Sequence, residues 1–376
     1  MSSQASPQQI PVLVLAGFLG SGKTTLLNHL LHRGGGSRIG AIVNDFGAIE
    51  IDAMAVAGAL GDSTVSLGNG CLCCAVDASE LDLYLDRLAR PSSRMDVIVI
   101  EASGLAEPQE LVKMLLASEN PYIVYGGLVE VVDAAEFDTT REKHPEIDRH
   151  LAIADLVVVN KADRVPDPDR VTGLVRTLAD GAAVVSASYG RIDPEFLFDC
   201  RPTEERIGQL SFDDLHRHED GDRGDGGADG HLGHLHSAYE SVSFTSEVPL
   251  GPRRLMDFLD SRPDGLYRIK GYVDFGAADP RNRYAVHAVG RFLRFYPEPW
   301  APGERLTQLV LIGSGIDAVA LGKELEACKD DAPHADERSM WGVLRYVQEQ
   351  EADTEAEAEA EVAGRGGWDD LPGGEG

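Results

Sequence analysis

The stretch Gly17-Phe18-Leu19-Gly20-Ser21-Gly22-Lys23-Thr24 fits the pattern Gly-x-x-x-x-Gly-Lys-Ser/Thr, whose chemistry is the capture of phosphate. Glycines let backbone N–H groups turn inward on an anion, and a helix that begins at the loop adds partial positive charge. Lys23 is then placed to reach the β- and γ-phosphates and the Thr24 hydroxyl to hold Mg²⁺, with Gly17, Gly20, Ser21, Gly22 and Thr25 completing the cradle. A second group, Asn160-Lys161-Ala162-Asp163, closes the apolar run Leu156 to Val159. It reads as Asn-Lys-x-Asp, the pattern that recognises guanine. The Asp163 carboxylate would accept from N1–H and the 2-amino group, the Lys161 stem would lie on the base, and Asn160 would tie the loops together. In isolation this tetrapeptide is a polar strand-to-helix turn. Its place downstream of a phosphate loop, with Ser186-Ala187 after the next apolar run as a small second base loop, makes it a nucleoside site.

Two acids stand where a phosphate site needs them. Glu101 ends a buried run, the position of an acid that holds Mg²⁺ through water, and the Gly104 N–H can approach the γ-phosphate. The bland alternative for Glu101 is a helix cap. Asp45 follows another apolar run and is a candidate for orienting the attacking water, with Glu50 and Asp52 as nearby alternatives. A third chemistry sits in Cys71, Cys73 and Cys74, three thiols beside Gly70 that supply three soft ligands to Zn²⁺ and leave a fourth place open. Small buried residues or a redox pair are the other readings. His216, His218, His231, His234 and His236 have a spacing that suits weak, exchangeable metal capture or a merely solvated linker; Cys200 and Cys328 read as ordinary core or surface residues, and His144 and His150 as surface histidines.

The elements around these residues must hold them. Pro11–Ala16, Arg38–Val43, Val65–Leu67, Met95–Ile100, Ile123–Val132, Leu156–Val159 and Ala183–Val185 read as strands, and Thr25–Leu31, Ser79–Leu88 and Pro108–Leu116 as helices. Strands alternating with helices predict an α/β fold with a mostly parallel sheet and helices on both faces. Composition changes near Ser211, and strand-like runs from Tyr239 to Ile312 with helices over Gly251–Leu259 and Asp317–Ala327 predict a smaller α+β C-terminal domain. The expected division is a disordered lead over 1–9, a nucleotide domain over 10–210, a Gly/Asp/His-rich linker over 211–237, the α+β domain over 238–347 and an acidic disordered tail over 348–376.

The chain has 376 residues, 43% of them hydrophobic, and a formal net charge of −29. Such an acidic balance argues against non-specific binding to nucleic acid or anionic membranes while leaving room for one nucleotide. No apolar run is long enough to span a bilayer and the start of the chain lacks a secretory core, so a cytoplasmic location is expected. Five cysteines, three of them clustered, suit metal rather than a disulfide framework.

Taken together, these motifs resemble the CobW-type metallochaperone GTPases, relatives of the GTPases that insert nickel into urease and hydrogenase. The resemblance rests on the phosphate loop through Leu27, on Asn44-Asp45-Phe46-Gly47, Gly70-Cys71-Leu72-Cys73-Cys74, Glu101-Ala102-Ser103-Gly104-Leu105-Ala106-Glu107-Pro108 and Asn160-Lys161-Ala162-Asp163, and in the second domain on Arg268-Ile269-Lys270-Gly271. It implies a P-loop GTPase domain, GTP hydrolysis with Mg²⁺, and delivery of a metal, most often zinc, to a client protein, with nucleotide state setting metal affinity. Cobalt or iron insertion, for cobalamin or nitrile hydratase, is the variant it also covers; a non-enzymatic metal buffer is the competing class. Asp45 stands where the family usually has Glu. Related GTPases pair through their nucleotide faces, and by that analogy a nucleotide-dependent homodimer is expected.

Overall fold

Short runs such as Val97-Ile98-Val99-Ile100 and Leu156-Val157-Val158-Val159 show no polar alternation, and every residue of both strands is buried. Strands apolar on both sides can only sit inside a sheet covered on both faces. The computed structural model describes residues 9–34, 37–44, 64–67, 78–90, 95–104, 106–199, 239–300, 305–330 and 337–347. In the first half, β1 (Ile10–Ala16), β2 (Ile39–Asn44), β3 (Thr64–Leu67), β4 (Val97–Glu101), β5 (Ile123–Asp133), β6 (Leu156–Asn160) and β7 (Ala183–Ser186) form one sheet. The order is β3-β2-β4-β1-β5-β6-β7 and every adjacent pair is parallel.

Helices cover both faces, as expected. Leu26, Leu27 and Leu30 of α1 (Lys23–Arg33) pack with Leu13, Leu15 and Val99 on one side. On the other, α2 (Ala78–Ala89) and α3 (Pro108–Ala117) bury Leu81, Leu85 and Leu111 against Val12, Val14 and Ile98. Four helices here were not foreseen: α4 (Phe137–Lys143), α5 (Ile147–Ile153), α6 (Pro168–Leu178) and α7 (Pro194–Leu197). All but α6 are seven residues or shorter, too brief for a helical repeat to show in the sequence. In α6, Val171 and Val175 lie one turn apart and seal Val157, Val159 and Val184.

Chain direction across the sheet reverses at β1, which lies between β4 and β5. Open parallel sheets bind ligands at the carboxyl ends of the strands beside such a reversal. The register places the key side chains there: Leu15 lies beside Glu101, Ala16 beside Glu130 and Asp133 beside Asn160.

The second half is an antiparallel sheet of β8 (Glu240–Ser246), β9 (Leu266–Val273), β10 (Asn282–Val289), β11 (Phe292–Pro299) and β12 (Thr307–Gly313), in the order β11-β10-β9-β12-β8. Helices α8 (Pro252–Asp260), α9 (Ala318–Ala327) and the short α10 (Trp341–Leu344) contribute Leu255, Leu259, Leu321 and Val343 to its core. The two halves share packing, with Tyr267, Val289 and Ile312 joining the cluster that contains Leu13 and Val158. Polar contacts lock the seam. His287 Nε2 lies 2.9 Å from the Tyr125 carbonyl and the Ser314 hydroxyl donates to the Val184 carbonyl at 3.0 Å, while on the first half's side the buried Asp155, its carboxyl pushed up by burial, accepts from the Tyr125 hydroxyl at 2.5 Å and the Leu128 N–H at 2.8 Å. Arg268 and Lys270, from the second-domain signature, both pair with Asp199. Cys328 is buried in the second core. The lead up to residue 8, Cys200, the whole 211–237 linker and the acidic tail lie outside the described residues.

Candidate functional site

The phosphate loop leaves β1 at Ala16 and enters α1 at Lys23. Gly17 and Gly22 carry φ of 141° and 104°, and a Cβ at Gly17 would fall on the Val131 carbonyl and one at Gly22 on the Asn160 side chain. Only glycine satisfies both the dihedral and the close approach. Lys23 is 8% exposed and its ammonium donates to the Gly17 carbonyl at 2.8 Å and the Phe18 carbonyl at 3.3 Å. The lysine thus curls over its own loop, within which the Ser21 N–H also donates to the Phe18 carbonyl at 3.1 Å.

Thr24 donates its hydroxyl to Glu101 Oε1 at 2.7 Å, and Glu101 is 3% exposed. A half-buried hydroxyl beside a buried carboxylate, oxygen donors alone, is the chemistry that suits Mg²⁺ rather than a soft metal, so these two residues fit the ion the phosphate loop implies. Just beyond, a Cβ at Gly104 would lie 2.7 Å from the Leu19 N, so the segment after β4 runs against the phosphate loop's backbone.

The Asn160–Asp163 segment comes to the same edge. Asn160 is buried; its Nδ2 donates to the Ser21 carbonyl at 2.9 Å, and its Oδ1 accepts the Gly190 N–H at 2.8 Å. One amide therefore ties the phosphate loop to the loop after β7. Lys161, at φ 59°, donates to the Gly20 carbonyl at 2.7 Å and to Asp133 Oδ2 at 2.6 Å. Asp163 lies in a 3₁₀ turn over Ala162–Arg164 and is exposed. At the end of β7 the Ser186 hydroxyl is shared with Thr172 at 3.0 Å, and the Ala187 N–H donates to the Val159 carbonyl at 2.8 Å. Thr25 is exposed at the first turn of α1.

Two acids that the sequence did not single out belong to this site. Asp133, the last residue of β5, anchors Lys161. Glu130, three residues earlier, is 2% exposed in an otherwise apolar strand. It borders a cavity of about 300 Å³ behind the loop, walled by Phe18, Ser21, Asp133, Phe137 and His144. Burial pushes the Glu130 carboxyl up to about 8, with the Lys23 ammonium pulling the other way. Among the described residues, neither Glu130 Oε2 nor the Ser21 hydroxyl has a hydrogen-bond partner. A lone acid inside Gly-Leu-Val-Glu-Val-Val was the signal for Glu130. His144 meets Phe18 with ring centroids 4.4 Å apart in a tilted pair, and His150 sits 3.2 Å from Glu107, so both are surface histidines with partners.

Asp45, Glu50, Asp52, the cysteines at 71, 73 and 74, and the histidines from 216 to 236 lie outside the described residues. No group of three or more metal-ligating side chains is assembled among the described residues, and none of the described helices is long and apolar enough to cross a membrane.

Comparison with known proteins matches this arrangement. Residues 11–186 match the family described as CobW/HypB/UreG, nucleotide-binding domain, and residues 239–329 match the cobalamin synthesis protein CobW C-terminal domain. The protein named zinc chaperone CobW from Pseudomonas aeruginosa is 31% identical over 359 residues, covering 84% of this chain and 91% of that protein. Its namesake from Sinorhizobium is 28% identical, covering 83% and 95%. Zinc chaperone YjiA from Escherichia coli is 31% identical over 196 residues, half of this chain and 61% of that protein. With its phosphate loop, base loop and second domain in this order, the chain belongs to the CobW family of P-loop nucleotide-binding proteins.

Proposed function

We propose that this chain hydrolyses GTP and uses the nucleotide to control delivery of zinc to a metal-requiring client protein. The observation that carries the nucleotide half is the Asn160 amide, bonded at once to Ser21 of the phosphate loop and Gly190 of the loop after β7. That link brings a phosphate cradle and a base-reading segment into one site. Its residues support the following division of labour. On binding, Lys23 exchanges the Gly17 and Phe18 carbonyls for phosphate oxygens. Thr24 and Glu101 hold Mg²⁺, which when bound neutralises charge on the β- and γ-phosphates. Asp163 accepts from the guanine edge while Lys161 covers the base. The oxygen of a water bonds to the γ-phosphorus as the bond to the β-bridging oxygen breaks. GDP leaves with that electron pair and the water's proton ends on phosphate or solvent, with Asp45 as the acid that orients the water.

The metal half rests on Cys71, Cys73 and Cys74 and on the names of the relatives. Three thiolates leave one coordination place for a donor from the client, a geometry suited to handing zinc on. These cysteines fall in sequence between Asn44 and Glu101, both adjacent to the phosphate site. Loops held by a γ-phosphate could therefore pull on the metal loop. Turnover of GTP and of ATP, each with and without Zn²⁺, tests the whole reading. A marked preference for GTP and a zinc-dependent change in rate are expected; equal turnover of ATP, or none of either, would overturn it.

A further inference from the structure

After β7 the chain turns back on itself in two residues. Ser188 and Arg191 face one another as an antiparallel bridge, with the Arg191 N–H donating to the Ser188 carbonyl at 3.1 Å. Between them Tyr189 has φ 57° and Gly190 φ 66°. A two-residue turn with positive φ at both centres favours Asn, Asp or Gly at each. Gly190 meets the demand, since a Cβ there would lie 2.8 Å from the Leu26 N at the start of α1. Tyr189 does not: a bulky side chain at positive φ is strained, and such strain persists where the surroundings over-determine the backbone and the side chain has a use.

The surroundings do over-determine it. The Gly190 N–H is held by Asn160, which is itself bonded to the phosphate loop, and Gly190 leans on Thr25 and Leu26. The side chain gains nothing from the core, for Tyr189 is 61% exposed and the Arg191 guanidinium lies 5.8 Å from its ring centroid. An aromatic ring thus stands outside the core on a constrained backbone, one residue from the link between the base loop and the phosphate loop. Its neighbour Gly190 rests on Thr25 and Leu26 of α1, while Lys161 is drawn to Gly20 and to Asp133 at the end of β5.

We propose that Tyr189 is the aromatic platform of the nucleoside site, its ring stacking on the base across from the Lys161 stem. This rests on the nucleotide reading above and adds a residue to it. Stacking addresses the face of a base, which every base has, whereas Asp163 addresses the edge. Tyr189 therefore strengthens binding of guanine and adenine nucleotides alike and leaves the preference between them to Asp163.

The test uses the full chain with Tyr189→Asn, Tyr189→Phe and the native residue, and three probes: GDP, ADP and inorganic triphosphate, which has no base. Asn suits the turn better than Tyr, so the Tyr189→Asn protein should melt no lower than the native one. It should nevertheless bind GDP about tenfold more weakly, with ADP weakened in proportion and inorganic triphosphate unchanged. Tyr189→Phe should match the native protein. Equal GDP affinity in native and Asn proteins overturns the proposal while leaving the nucleotide site intact. Loss of triphosphate binding in step with GDP also overturns it, because the turn would then be acting through Asn160 on the phosphate loop. If the native protein binds no GDP, the nucleotide reading itself fails.

Discussion

Replacing Glu130 by glutamine keeps the shape of a buried side chain and removes its proton. In the unfolded chain this carboxyl ionises near the ordinary 4.5, but in the fold burial holds the proton until about 8. Between those two values the unfolded chain has released a proton that the folded chain keeps. Raising the pH therefore favours unfolding across that window and has no further effect through this group above it. At about 1.4 kcal/mol per pH unit, the gap between 4.5 and 8 comes to about 5 kcal/mol. Water penetration and small relaxations lower that ceiling, and about 2 kcal/mol or more should survive at a site that is 2% exposed. The assay is urea unfolding of native and Glu130→Gln proteins, without nucleotide, at pH 5, 6.5 and 8.5. All other titrating groups are common to both, so they cancel in the difference. The native protein should lose stability relative to the variant as pH rises, with the difference widening up to pH 8 and then levelling. Parallel curves, offset by a constant, would refute the claim that Glu130 is held neutral beneath the phosphate loop.

Lys23→Ala should lower GTP turnover by of order 10²-fold or more, since it removes the charge that meets the β- and γ-phosphates; steady-state phosphate release on a folded variant checks it. Asp163→Asn should weaken GTP binding by roughly 100-fold and move preference toward a xanthine base, whose 2-oxo group accepts from the new amide, as measured by competition between the two nucleotides. Changing Cys71, Cys73 and Cys74 together to serine should abolish binding of one Zn²⁺ per chain, along with any effect of zinc on GTP affinity, an effect expected at about 1–3 kcal/mol; calorimetric titration with and without GTP reads both. Gly290→Ala should destabilise the seam between the two sheets by about 2–4 kcal/mol, because a Cβ there falls on the buried Asp155 carboxylate and Gly290 has φ 52°; chemical denaturation reads the loss.

The phosphate loop, the Asn160–Asp163 segment and Glu101 were legible because each is a contiguous string whose function depends on backbone shape set within a few residues. The strands followed from their apolar runs, and the second domain from the change of composition after Ser211. What escaped depends on neighbours distant in the chain. Glu130 looks like a strand interruption until β5 is laid beside β1, which puts it next to Ala16 and under the loop. Asp133 acquires a role only when β5 and β6 pair and bring it to Lys161. Ser186 and Ala187 read as a small second base loop, and only the packing of α6 and β6 on β7 shows that the Ser186 hydroxyl is shared with Thr172 and the Ala187 N–H with Val159. Tyr189 has no motif, and its significance rests on a positive φ that follows from Gly190 being held between Asn160 and α1. Local sequence determined which groups could bind a nucleotide. The lateral order of strands, set by the summed burial of long-range contacts, decided which of them meet and which donors remain for a ligand.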